Sequence, residues 1–323
     1  MYSFFHLNLW SGFRGQLYSA YYEVEFQLSG WRVKRLTERT VREHYRFLTE
    51  GAYDKREKKK TLEKGRKRWH SYVTQNVLDV IQLLHVVPYR IDGAGPYEAQ
   101  LVIDVGHDRR YFAVSLLVAR NEDRNPSFRF VTQTQHKIDQ HQEGINPTLL
   151  ADEILDLFTQ VFRRRFDALE SLLIIRDGRL VRQESEALNK SVTLLREQGY
   201  LKNHARVDQV DVHKDSLKSI RMWDVTVENE IENPLIGIGI RLNKKAMALA
   251  TTGVPGLPQG TADPILIVSN GQCENVADAA AANFAAAQLN WSSPGVPQKL
   301  SIGMKRTDDS LKARAAQEVR RLR

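Results

Sequence analysis

The feature that most constrains this chain is an acid set inside an apolar run. Leu101-Val-Ile-Asp104-Val-Gly106 is followed closely by Tyr111-Phe-Ala-Val-Ser-Leu-Leu-Val-Ala119. Apolar residues bracket Asp104, a Gly-containing turn follows, and a second β-rich run begins. The pattern predicts a hairpin whose first strand presents Asp104 near its end. A carboxylate in a buried strand must give up its hydration, and it is tolerated only with a partner, a proton or a metal. Leu172-Leu-Ile-Ile-Arg-Asp177-Gly178 repeats the arrangement downstream. Two apolar strands that each end in Asp, separated by a hairpin, another strand and a long helix, predict two carboxylates meeting at a metal site. Acids also punctuate strand ends for structural reasons alone, so either run by itself is weak evidence.

Bulk properties narrow the class. A chain of 323 residues can bury a sizeable core. Its +8 formal charge and pI near 9.5 favour a polyanionic partner. Cys273 is the only cysteine, which excludes a disulfide framework and a cysteine-based zinc site and fits the cytoplasm. No window approaches the roughly 20 apolar residues of a membrane span, and the N-terminus has no signal-peptide pattern, so a soluble protein without a membrane partner is expected.

Along the chain, Tyr21-Tyr-Glu-Val-Glu-Phe-Gln-Leu28 reads as a strand and Arg35 to Leu48 as a helix. Lys55-Arg-Glu-Lys58-Lys59-Lys60 is a basic run, either a solvated face or a phosphate track. Val73, Val77, Val80, Ile81 and Leu84 recur at helical spacing up to Pro88, and the Gly/Pro-rich break at 91–96 divides residues 1–92 from 93–323. Strands follow near 100–106, 110–120 and 128–135. Thr148 to Leu169 is an amphipathic helix with Leu150, Ile154, Leu157, Phe158, Val161, Phe162 and Phe166 on one face. A buried strand Leu172–Ile175, a helix Gln183–Gln198, a series of short strands, an Ala-rich helix Asn275–Leu289, a strand Lys299–Met304 and a terminal helix Asp308–Leu322 complete the reading. Gly237-Ile-Gly239 is not a dinucleotide loop, and Gly253–Gly260 lacks the Lys-Ser/Thr of a P-loop.

This order of elements is that of an RNase H-like nuclease core, and several segments resemble prokaryotic Argonautes in collinear order. Leu78–Ile91 resembles the helix and crossover leading into their PIWI domain. Val102-Ile-Asp104-Val-Gly resembles the strand of the first catalytic Asp, and Ile174-Ile-Arg-Asp177-Gly178-Arg the motif of the second. Gln259-Gly-Thr-Ala-Asp-Pro264 and Leu289-Asn-Trp-Ser-Ser-Pro294 resemble the closing segments. The resemblance implies an α/β fold. It comprises an RNase H-like PIWI domain, a mixed central sheet flanked by helices, over 93–323, and a small MID-like remnant over 1–92. The N-terminal and PAZ domains of a full-length Argonaute have no counterpart, as in a fragment, a split protein or a reduced relative. The lysine that helps hold a guide's 5′ phosphate in the family falls near Leu84 or His85.

What the resemblance implies chemically is a guide-directed endonuclease, cutting a target strand paired to a short guide in defence against foreign DNA. Two ions of Mg²⁺ or Mn²⁺ suit phosphodiester hydrolysis, because hard cations prefer carboxylate oxygens. Asp104 and Asp177 are the expected central ligands. Glu143, in the polar segment His141-Gln-Glu-Gly-Ile-Asn-Pro147, is similar in position to the family's inserted glutamate. Asp308 is the expected fourth acid at the start of the last helix, although a count from Pro297 places Met304 there instead. Lys58, Lys59, Lys60, Arg176, Lys305 and Arg306 are the expected phosphate contacts. The rival reading is a catalytically silent guide-binding module that signals to an associated effector protein.

Overall fold

The structure, a computed structural model, describes residues 3–8, 32–55, 57–83, 95–106, 109–119, 128–136, 144–162, 167–214, 220–257, 259–291, 296 and 298–321. The chain divides into two units, Met1–Arg90 with Trp291–Pro294, and Ile91–Asn290 with Gly295–Arg323.

In the first unit, β1 (Ser3–Asn8) pairs in parallel with β2 (Arg32–Thr37), which runs directly into α1 (Glu38–Glu50). The helix expected from Arg35 therefore begins at Glu38, because Arg35–Thr37 are drawn into a strand pairing that local helical spacing does not encode. The basic run bends into a hairpin of β3 (Ala52–Asp54) and β4 (Lys59–Thr61), followed by α2 (Leu62–Leu83). Lys58 turns this hairpin with φ 51°, and Lys59 pairs with Glu57 at 3.2 Å. The stripe of α2 is incompletely buried, with Val73 and Val77 exposed. The expected strand at 21–28 lies outside the described residues.

The second unit opens with β5 (Ala99–Val105), β6 (Tyr111–Ala119) and β7 (Phe128–His136), then α3 (Pro147–Phe162), β8 (Leu169–Asp177), α4 (Arg182–Glu197) and β9 (Leu201–His213). A small hairpin of β10 (Asp224–Val225) and β11 (Ile231–Glu232) precedes β12 (Gly239–Asn243), β13 (Ala246–Leu249) and β14 (Ile265–Ser269); α5 (Val276–Ala287) and α6 (Ile302–Arg321) end the unit. The eight-stranded sheet has the order β12-β13-β14-β9-β8-β5-β6-β7. β5, β8 and β9 are mutually parallel and the remaining pairs antiparallel. The mixed sheet with helices on both faces matches the expected α/β class.

Alternation along the strands divides the interior in two. Leu101, Ile103, Leu172 and Ile174 pack with α3 and α4, where Leu150, Ile154, Leu157, Phe158, Val161 and Phe162 form the helical face read from sequence. Val102, Leu173, Ile175, Val210 and Val212 point to the opposite face and pack with α5 and Met304 of α6. The terminal region differs from expectation. Residues 302–304, read as strand, are the first turn of α6, with Ser301 O accepting from Lys305 N–H at 2.9 Å. The run Ser301-Ile-Gly-Met304 is buried throughout, but its burial comes from a helix laid across the sheet rather than from a strand. Gly303 makes that crossing close: a Cβ there would stand 2.6 Å from Val102 Cγ2, and Ser115 Oγ donates to Gly303 O at 3.0 Å.

Candidate active site

Both aspartates are placed by the pleat. β5 and β8 pair in the register Leu101↔Ile174, Val102↔Ile175 and Ile103↔Arg176, so Asp104 and Asp177 come next along neighbouring parallel strands. Parity puts Asp104 on the face of Val102, and Asp177 on that of Leu173 and Ile175. The carboxyl ends of parallel strands are where open α/β sheets receive ligands. Asp104 is 8% exposed and the Asp177 side chain likewise 8%. Asp104 Oδ1 accepts from Val105 N–H at 2.8 Å. Burial and then the neighbouring Asp177 carboxylate push Asp104 up to about 7. Asp177 is also raised, by burial first, against the pull of Lys214 and Arg176.

Lys214, one residue past β9, was not anticipated from sequence. Val210 and Val212 lie in the α5/α6-side core, and continued alternation brings Lys214 to the same face, where its ammonium pairs with Asp177 Oδ2. Burial alone would lower its pKa, yet Asp177, Asp104 and Asp308 together hold it above the ordinary lysine range. The sequence signal was that alternation, hidden because Lys214 opens the polar run Lys214-Asp-Ser-Leu-Lys218.

Asp308 occupies the second turn of α6 rather than the first, since the helix begins at Ile302. Its side chain is 18% exposed and accepts from Lys312 Nζ at 2.7 Å. Burial pushes it up, but the Lys312 hydrogen bond and the charges of Lys214, Lys312 and Lys305 outweigh this and hold it below the usual carboxylate range. It also raises Asp177, so the two carboxylates feel one another. Asp309 is instead engaged by Lys305 at 2.6 Å on the exposed side of the helix. Met304 is fully buried, its Sδ 3.9 Å from Asn283 Nδ2. Glu143 lies outside the described residues.

Arg176 does not present a surface guanidinium for phosphate. Parity turns it to the α4 side, where its Nε donates to the fully buried Glu184 at 3.2 Å. Glu184 also accepts from Val181 N–H at 3.3 Å, at the start of α4, and from Ile145 N–H at 3.2 Å. One buried acid thus ties the end of β8, the N-terminus of α4 and the segment just after Glu143. Lys305 and Arg306 lie on α6, and Lys58–Lys60 on the first unit's hairpin. Beside Asp177 a cleft opens, lined among others by Gly106, Arg109, Gly178 and Arg179.

The donor set fits a hard divalent ion in part. Two buried carboxylates stand side by side and offer the oxygen donors that Mg²⁺ or Mn²⁺ prefers, while the Lys214 ammonium against one of them opposes a second cation. Among the described residues no three His, Cys, Asp or Glu side chains converge closely enough to hold an ion.

No protein-family model matches the chain, and no curated protein matches it. Solved structures do. The chain resembles Clostridium butyricum Argonaute, described as bound to a guide DNA and a 19-mer target DNA, with TM-score 0.63 and 14% identity over 89% of this chain and 34% of that one. Marinitoga piezophila Argonaute, in complex with a 5′ OH guide RNA, gives TM-score 0.54 and 13% identity over 87% of this chain and 36% of its own. A. aeolicus Argonaute gives 0.52 and 15%, over 92% and 37%. The protein thus has an Argonaute-like, PIWI-type fold and spans about a third of the length of these relatives. No helix among the described residues is long and apolar enough to cross a membrane.

Proposed function

We propose that this chain binds a short guide nucleic acid and, with divalent metal held by Asp104 and Asp177, cleaves a strand paired to that guide. The observation that carries the reading is the pair of buried carboxylates at the ends of neighbouring parallel strands, in a fold shared with Argonautes that hold guide strands. A bound divalent ion would relieve charge on the phosphoryl centre and activate a water. The chain's own part is positional. Asp104 and Asp177 hold the ion, Asp308 adds a carboxylate from α6, and Glu143 is the fourth. Arg109 and Arg179, at the cleft beside Asp177, orient the phosphate. Lys58, Lys59 and Lys60 follow the nucleic-acid backbone. Burial and the Asp177 carboxylate raise Asp104, so metal binding would displace protons from the pair.

One observation favours the silent guide-binder as the second reading: Asp177 and Asp308 are each already paired with a lysine, and no third acid joins the pair among the described residues. Cleavage of a guide-paired strand in Mn²⁺ separates the two. Asp104→Asn and Asp177→Asn should each lower the rate by more than the about 10–100-fold typical of losing an outer-shell partner, with duplex binding retained. Undiminished cleavage in Asp177→Asn overturns the metal-site assignment. A wild-type protein that binds the duplex without cutting it establishes the silent reading.

A further inference from the structure

The cation beside the two aspartates is part of the chain. We propose that Lys214 is the resident counter-ion of the Asp104–Asp177 pair, holding the place a divalent metal takes, so that metal binds only as the ammonium leaves. The inference rests on the metal-binding reading above.

Two carboxylates side by side in the interior repel one another and have each lost most of their water, an arrangement tolerated only with a compensating cation. The other basic groups around them pair with other carboxylates. Arg176 bonds the Glu184 carboxylate and the Asp177 backbone carbonyl, its charge reaching both aspartates from the opposite face, while Lys312 holds Asp308 and Lys305 holds Asp309. Lys214 alone among these pairs with Asp177, and its charge also acts on Asp104 and Asp308. Its anchor is rigid, because β9 is paired with β8 through Asp177↔Val212 and Gly178 N–H donates to Val212 O at 2.8 Å. The ammonium, by contrast, sits at the end of a flexible four-carbon stem and can swing clear without moving the strand. A metal ion would approach these oxygens to about 2.0–2.1 Å. An ammonium on the same carboxylate would then face a divalent charge a few ångströms away, in a partly dehydrated site. The two cations are therefore alternatives.

Mutual exclusion has a two-sided signature. Replacing Lys214 by Met keeps much of the volume and removes the competitor. It should destabilise the metal-free protein and tighten metal binding together, because the metal no longer works against the internal ion pair. In EDTA the Tm of Lys214→Met should fall below wild type. The Mn²⁺ Kd, read from the free-ion electron paramagnetic resonance signal, should tighten roughly tenfold, within the about 5–150-fold of ordinary coupling. Lys214→Arg, which keeps a cation, should stay near wild type in Kd. Asp104→Asn with Asp177→Asn supplies the blank for non-specific Mn²⁺.

Should Lys214→Met fold poorly, wild-type protein still decides the matter. An amine-acylating reagent followed by mass spectrometry should find Lys214 protected in EDTA and several-fold more reactive in saturating Mn²⁺, with surface lysines unchanged. Equal Mn²⁺ affinity in wild type and Lys214→Met, or a lysine that stays protected with metal bound, overturns this proposal and leaves the metal site standing. Binding no greater than the blank in both proteins removes the metal reading and the proposal together.

Discussion

At the scale of single residues, the site is governed by charges that cannot all be ionised without help. Asp104 is the clearest case. Its folded pKa of about 7 exceeds its ordinary value of 3.8, so the folded state holds more protons than the unfolded state between those limits. Stability from this group is fully present below about pH 4 and is lost as pH rises through 7. In EDTA, the Tm difference between wild type and Asp104→Asn should therefore shift against wild type from pH 4 to pH 8; a constant difference would show that Asp104 titrates normally. Glu184 makes a different demand. Glu184→Gln leaves Arg176 buried without its countercharge, and breaking such a pair from one side costs about 3–5 kcal/mol. Urea denaturation should show a loss of that order, and a change under about 1 kcal/mol would mean that water reaches Arg176. On α6, Asp308→Ala should depress Mn²⁺-dependent cleavage far more than Asp309→Ala. Asp308 interacts electrostatically with Asp177, whereas Asp309 bonds only an exposed lysine that contributes about 0.3–0.5 kcal/mol.

At the scale of elements, Gly303 is a position where α6 lies close against Val102 of β5. Alanine favours a helix over glycine by about 1 kcal/mol, but here its Cβ would drive into Val102, and overpacking costs about 1–3 kcal/mol. Gly303→Ala should lower Tm. Paired with Val102→Ala, its effect should be smaller than the sum of the two, a non-additivity that thermal melts can measure. The same helix marks where sequence reading succeeded and where it stopped. Strands around Asp104 and Asp177 were legible as short apolar runs bounded by an acid and a glycine, and the face of α3 by its period of 3.6. The onset of α6 was not, since Ser301 to Met304 is buried throughout and carries no periodicity. Lys214 and Glu184 escaped for another reason. Each meets its partner across an element boundary, Lys214 from the end of β9 to Asp177 and Glu184 from α4 back to Arg176 on β8, and no periodicity within one element announces such a pairing.

At the scale of the molecule, the +8 charge predicts that duplex binding weakens log-linearly with salt, as displaced counterions require. Replacing Lys58, Lys59 and Lys60 together with Gln should reduce that slope by up to about 3 in a filter-binding titration; an unchanged slope assigns those lysines to solvent. The parallel pairing of β5 with β8 has a consequence in time. The 73 positions from Asp104 to Asp177 take about 4–15 s to synthesise at about 5–20 residues per second. Throughout that interval a nascent chain carries the first acid with neither its twin nor Lys214. No hairpin can shorten the wait, since a parallel neighbour is reached only after a crossover. The Asp104–Asp177 pair therefore assembles only when β8 docks on β5, and Lys214 joins it only once β9 has followed.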